Sequence, residues 1–190
     1  LFNNPILSDV KMKQISKDGQ VRDYYAHKAV LSAGSQYFFN AFTGSFREVS
    51  ESVMEFHYDD PDHFEFCLKF IYTQDYDEDA IASMGEGASS VLERVLFIIG
   101  VYAMADKYDV PVLCEHATKD VQRYLIEKPP SQRDWVTIIR KYYDKVATAN
   151  GPFGNALVSG ILKAQSAGGS SEFFSLIENH PAFGVDVALA

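Results

Sequence analysis

Apolar and polar positions alternate at the start of the chain. Val10, Met12 and Gln14 interleave with Lys11, Lys13 and Ile15, which predicts a half-buried strand. Asp18-Gly19 supplies what a tight hairpin turn needs, because both residues tolerate positive φ, and Val21 to His27 reads as the returning strand. The period then changes. "HKAVLSAGSQYFFNAF" reads as a buried helical segment through Ala29, Val30, Leu31, Ala33, Tyr37, Phe38, Phe39, Ala41 and Phe42. One more large apolar residue, Phe46, follows inside a polar run that looks like a surface loop, directly before Arg47 and Glu48. Either Phe46 folds back onto the core beside Phe42, four residues earlier, or it stays outside for another molecule to cover.

"SVMEFH", Ser52 to His57, predicts a third strand. Asp60-Pro61 starts a helix, with Asp60 as N-cap and Pro61 in the first turn, and Phe64, Leu68 and Ile71 form its inner face. Asp75 to Gly87 reads as an acidic loop with a short extended piece near Ala80 to Ala82. Ser90 and Glu93 form a capping box for a long helix through Tyr108, hydrophobic nearly all round and therefore central. Asp109 reads as the cap of the next helix, which carries Pro111 in its first turn and runs to about Glu127. Pro129-Pro130 closes that part. Ser131 with Asp134 caps a further helix whose inner face is Trp135, Ile138, Ile139, Tyr142 and Val146. Helices at about Asn155–Ala167 and Glu172–Asn179 follow, separated by the joint "AGGSS". No fixed-period repeat occurs. Strands segregated from helices predict an α+β fold, a small three-stranded sheet beside a helical cluster, followed by an all-helical extension.

Composition narrows the function classes. The chain has 190 residues, 47% hydrophobic and 23% charged, with 14 Phe and 11 Tyr. It is long enough to bury a core without staples. No uninterrupted apolar run reaches the roughly 18 residues of a membrane span. The net charge of −9 and the lack of a basic stripe argue against nucleic acid; Arg140, Lys141 and Lys145 read as a solvated helix face. Cys67 and Cys114 fall in apolar helical patterns and read as buried structural thiols of a reducing compartment. An intracellular protein, cytoplasmic or nuclear, is expected.

Chemistry is sparse. Cys114 and His116 stand two apart on a helix and point different ways, and His57 and His63 share no ligand spacing, so no metal site is expected. "GEGASS", Gly85 to Ser90, follows an acidic loop rather than a strand and lacks the lysine of a phosphate loop. No G-x-S-x-G elbow is present. Neither a cofactor nor an enzymatic activity is expected.

Four stretches in order, "LSDVKM", "AHKAVLSAGSQYFFNAF", "FCLKFIYTQDY" and "VYAMADKYDVPVLCEHA", resemble the BTB/POZ domain family from Ser8 to about Leu125. The remainder, to "HPAFGVDVALA", is similar to the BACK-like helical extension of fungal members. The resemblance implies a BTB/POZ domain over residues 1–128 and a helical extension over 129–190. It implies protein–protein interaction, homodimerisation and no catalytic centre. Many members are adaptors of ubiquitin ligase complexes, in which the BTB core binds a cullin-3 scaffold and another domain holds the substrate; others are self-associating scaffolds in transcriptional or assembly complexes. In the adaptors an apolar residue, any residue and an acidic one precede the third strand, and here that position reads Phe46-Arg47-Glu48. The family also places an acidic residue before the first strand facing a basic one after the second, in a pocket near the dimer interface: Asp9 and Lys28. Dimeric members carry a helix upstream of the first strand, where this sequence has "LFNNPIL" interrupted by Pro5, which weakens the expectation of a homodimer.

Overall fold

The computed structural model describes residues 1–44, 52–83, 90–146, 148–164 and 171–190. Strand β1 (Val10–Ile15) keeps the alternation of its sequence, with Val10, Met12 and Gln14 buried and the intervening residues half-buried. It pairs antiparallel with β2 (Val21–Ala26), Val10 opposite Ala26. The connection is a three-residue loop: Gly19 N–H donates to Ser16 O at 3.0 Å, Ser16 N–H donates to Gln20 O at 2.9 Å, and Gly19 takes φ +82°. That left-handed position is where a loop of this length requires glycine. Strand β3 (Val53–His57) joins the other side of β1 in parallel, giving the order β2-β1-β3. On the outer face Lys11 pairs with Asp23 at 2.6 Å and Lys13 with Glu55 at 3.5 Å.

The expected single helical segment after β2 is two helices, α1 (Lys28–Gly34) and α2 (Gln36–Thr43). Ser35 separates them in extended conformation, its Oγ accepting from Phe38 N–H at 3.1 Å as the cap of α2. Burial is also narrower than the run of apolar letters suggests. Leu31, Phe38 and Phe42 are buried, whereas Tyr37 and Phe39 are 40% and 45% exposed. Helix α3 (Pro61–Thr73) is capped as its sequence predicts, Asp60 Oδ1 accepting from the N–H groups of Asp62 and His63 at 3.1 Å. It buries Phe64, Leu68 and Ile71.

The acidic stretch differs from expectation. It contains a short helix, α4 (Glu78–Ser83), started by Asp77, whose Oδ1 accepts from Ala80 N–H at 2.8 Å, and pinned by the buried Ile81. Acidic residues in a first turn favour a helix because they face its positive end. Helix α5 (Ser90–Lys107) is buried along most of its length, including Val95, Ile98 and Val101; the Ser90 side chain lies outside the described residues. Asp109 does not cap α6 (Pro111–Glu127). It sits at φ +50° just after α5, with Val110 N–H donating to Ala105 O at 2.8 Å and Asp109 N–H to Asp106 O at 3.2 Å. This is a helix-ending motif that needs one left-handed residue, and aspartate tolerates it.

Helix α7 (Gln132–Lys145) is capped by Ser131 and buries Trp135, Ile138, Ile139 and Tyr142 as predicted. Helix α8 (Pro152–Ala164) begins a turn earlier than its pattern suggests, and α9 (Ser171–Asn179) follows. A last helix, α10 (Pro181–Leu189), was not expected. The "AGGSS" joint falls largely outside the described residues.

The chain forms two compact units, residues 1–76 with 104–114 and residues 77–103 with 115–190. The first is centred on four buried rings, Phe38, Phe56, Phe64 and Tyr108, with neighbouring centroids 5.2 to 6.0 Å apart. Each contributes about 2–3 kcal/mol by burial, and each favourable ring pair about 0.5–1.5 kcal/mol more. The second is centred on Ile98, Ile138, Tyr142, Phe153 and Leu157.

Candidate partner-binding site

Phe46, Arg47 and Glu48 lie outside the described residues, so the site is built from what flanks them. On one side α2 is fixed at its start: Ser35 Oγ donates to Tyr108 O at 2.5 Å, and Gln36 N–H to Asp109 O at 3.1 Å. Phe38 and Phe42 stack 6.0 Å apart inside, and Phe38 stacks 5.5 Å from Tyr108. With its inner face fixed, α2 turns Tyr37, Phe39 and Asn40 outward and ends where Gly44 N–H donates to Asn40 O. On the other side Lys11 N–H donates to Ser52 O at 2.8 Å, which sets the entry into β3. Two well-anchored elements thus bracket the segment 45–51.

Past β3 the chain makes a sharp reversal. Tyr58, at φ +68°, is 71% exposed, and Asp59 turns inward. The Asp59 carboxylate accepts from Lys107 Nζ at 2.6 Å and Tyr108 Oη at 2.5 Å, and its backbone O accepts from Gln14 Nε2 at 2.7 Å. Burial, and then the Asp59 carboxylate, push the Tyr108 hydroxyl far above its ordinary range, so it stays a donor. This node ties β1, the end of β3 and the α5–α6 turn together. It escaped sequence reasoning because Asp59 reads as one more acid in "HYDDPD" and its partners lie 48 and 49 positions away.

Asp9 and Lys28 are brought together, through the backbone: Asp9 Oδ1 accepts from Lys28 N–H at 2.7 Å. Lys28 opens α1 and the preceding His27 offers no side-chain cap, so Asp9 caps this helix from a distance. The Lys28 ammonium lies 5.3 Å from the centroid of Phe42. His27 is buried between Tyr72 Oη at 2.9 Å and Ile6 O at 3.1 Å. The first residues lie along β2, Asn3 Oδ1 accepting from Tyr25 N–H at 2.9 Å.

Beside these elements a cleft of about 810 Å³ is lined by the small side chains of α1, Ala29, Ser32 and Ala33, together with Ile71, Pro111 and Val112. Cys67 is buried and Cys114 half-buried; both are free thiols. Burial raises both, Cys114 to about 12, so neither is a thiolate nucleophile near neutral pH. Among the described residues no cluster of three metal-ligating side chains occurs, and no helix is long and apolar enough to cross a membrane.

A family model described as BTB/POZ domain matches residues 1–125. Human BTB/POZ domain-containing protein 6 is 32% identical over 117 residues, a match that takes in 60% of this chain and 18% of the human protein. Most of that relative's length therefore lies outside the match.

Proposed function

The chain belongs to the BTB/POZ domain family, and from that membership we propose that it is a protein–protein interaction module acting as an adaptor that docks a cullin-3 scaffold. The observation that carries the reading is Phe39. The helix leading into Phe46-Arg47-Glu48 holds an aromatic ring 45% exposed on a face that the folded unit leaves in water. In this reading Phe46 enters an apolar groove of the partner and Glu48 fixes its orientation, with Arg47 between them. Residues 1–128 are the interaction domain and 129–190 the extension.

An aromatic anchor in a desolvated pocket accounts for ~2–4 kcal/mol on truncation. Titration calorimetry with a cullin-3 amino-terminal domain tests the reading. Phe46→Ala and Glu48→Lys should each weaken binding at least about tenfold, and unchanged affinity removes the segment from the interface.

A second reading, a self-associating scaffold, is favoured by the cleft beside α1, where Ala29 and Ala33 would let a second backbone approach closely. Asp9 and Lys28 would then lie near the contact. Light scattering decides: wild-type dimers that Ala33→Glu dissociates, with no cullin affinity, support this alternative.

A further inference from the structure

The two edges of the sheet are treated differently. Along β2 the chain covers part of its own edge, where Asn3 Oδ1 accepts from Tyr25 N–H at 2.9 Å. Along β3 it does not. Lys11 N–H donates to Ser52 O, and Tyr58 N–H donates to Ile15 O, at the two ends of the parallel ladder. Alternate residues of a paired strand bond the same neighbour. Met54 and Phe56 therefore turn their backbone groups toward β1, while Val53, Glu55 and His57 turn theirs away. Among the described residues nothing donates to or accepts from the backbone of those three. Val53 is 41% exposed, and the Glu55 and His57 side chains are each 48% exposed.

Exposed edges are usually guarded by lysine, proline or a bulge. Strand β3 has none of these: its sequence is VMEFH, and its register with β1 runs without interruption. Its outward chemistry is also self-complementary. Glu55 and His57 stand on the same outer face two positions apart, the ring Nε2 3.5 Å from the carboxylate. Suppose a second β3 lies antiparallel along this edge, with Phe56 opposite Phe56. Each Glu55 then falls opposite a His57. These are residues whose N–H and C=O are free, so each opposed pair exchanges its backbone hydrogen bonds. Shifting the register to set Glu55 opposite Glu55 would bring like charges face to face, which is unfavourable. Shifting it further sets Glu55 opposite Val53 and loses the polar pairs.

We propose that the free edge of β3 is a self-association surface, on which β3 of a second copy pairs antiparallel, Glu55 against His57. The two three-stranded sheets then become one continuous sheet. The two-fold axis passes between the paired Phe56 residues, as an isologous contact requires. The contact uses no residue of the α1 cleft and none of Phe46-Arg47-Glu48, so it stands independently of both readings of function above.

The tests use the full chain carrying Ala33→Glu, so that dimers through the α1 cleft do not contribute. Hydrogen exchange followed by NMR is the first. Between dilute and concentrated samples the Glu55 and His57 amides should slow at least about tenfold, while that of Val53, unpartnered in this register, should not. Equal behaviour of the three amides overturns the proposal. Cross-linking reads the register. A mixture of Glu55→Cys and His57→Cys, oxidised with diamide, should form a linked dimer, because directly opposed Cα atoms stand about 5.5 Å apart. Glu55→Cys alone should give at least about tenfold less, its sulfurs lying on a diagonal of about 7–8 Å; equal yields overturn the proposal. Glu55→Pro deletes an N–H that β1 does not use, a place where a strand tolerates proline. The dissociation constant of the dimer should then rise at least about tenfold by sedimentation equilibrium, and an unchanged constant overturns the proposal. Should that variant not fold, Glu55→Lys should weaken the dimer as much and adding His57→Glu should restore it. Failure to restore it overturns the pairing.

Discussion

Asp59 and Asp60 are adjacent, yet their carboxylates serve different ends. Asp59 turns inward to hold Lys107 and Tyr108, a long-range contact. Asp60 stays at the start of α3, where it accepts two backbone N–H groups and lies 2.8 Å from His63 Nδ1. The hydrogen bond with His63 and the backbone donors pull the Asp60 carboxyl well below a free aspartate's 3.8. The sign follows: a carboxyl more acidic in the folded chain stabilises it above that value, and the contribution fades as pH falls below it. Asp60→Asn should therefore lower stability at pH 7 and flatten the loss of stability between about pH 4 and pH 2, measured by denaturant unfolding across that range. Had the Asp60 cap no role in stability, the two acid limbs would be parallel. Asp60 was legible in the sequence because a cap acts on residues two and three positions on. Asp59 was not, since nothing local distinguishes a carboxylate that turns inward.

The same contrast holds for whole elements. The hairpin, α3 and α7 were legible because a turn glycine or a capping oxygen announces each of them within a few residues. Helix α4 was missed because it is short and acidic, buries one side chain, Ile81, and is tied down by a pair 45 positions away, Glu78 with Arg123 at 2.7 Å. Helix α10 was missed because its one charge, on Asp186, points inward beside Phe183 while Val185 and Leu189 point outward, so no amphipathic stripe appears. The candidate loop drew notice as a phenylalanine in a polar run, but its role came only from family resemblance, as did the pairing of Asp9 with Lys28. Packing between elements was not legible at all. Gly160 in α8 is an example: a Cβ there would meet Trp135 Cη2 at 2.7 Å and Leu125 Cδ1 at 3.4 Å. Alanine would gain about 1 kcal/mol in helix propensity, but forcing a methyl group against a rigid buried indole costs about 1–3 kcal/mol. Gly160→Ala should thus be destabilising on balance. At Gly34 the near atom is the flexible Cγ2 of Ile71, at 2.8 Å, so Gly34→Ala should cost less; thermal unfolding of the two variants checks the order.

Across the whole molecule the chain passes between its two units three times, since residues 104–114 belong with 1–76 and residues 77–103 with 115–190. A fragment ending at Lys128 keeps the first unit whole but divides the second. It strips Tyr102 of its ring contacts with Tyr142 at 6.0 Å and Phe153 at 4.5 Å, and Leu125 of its packing near Gly160. That fragment should therefore melt at a lower temperature than the 190-residue chain and expose apolar surface to a dye such as ANS. A fragment as stable as the full chain would show that α7–α10 contribute nothing to α5 and α6.

The late arrival of Tyr108 also bears on synthesis. The first 76 residues leave the ribosome with Phe38, Phe56 and Phe64 lacking the ring that closes their cluster. At translation rates of about 5–20 residues per second, the stretch from 77 to 114 takes roughly 2–8 s to follow. For that interval the nascent chain presents an unfinished aromatic face, the surface a chaperone on the ribosome would meet first.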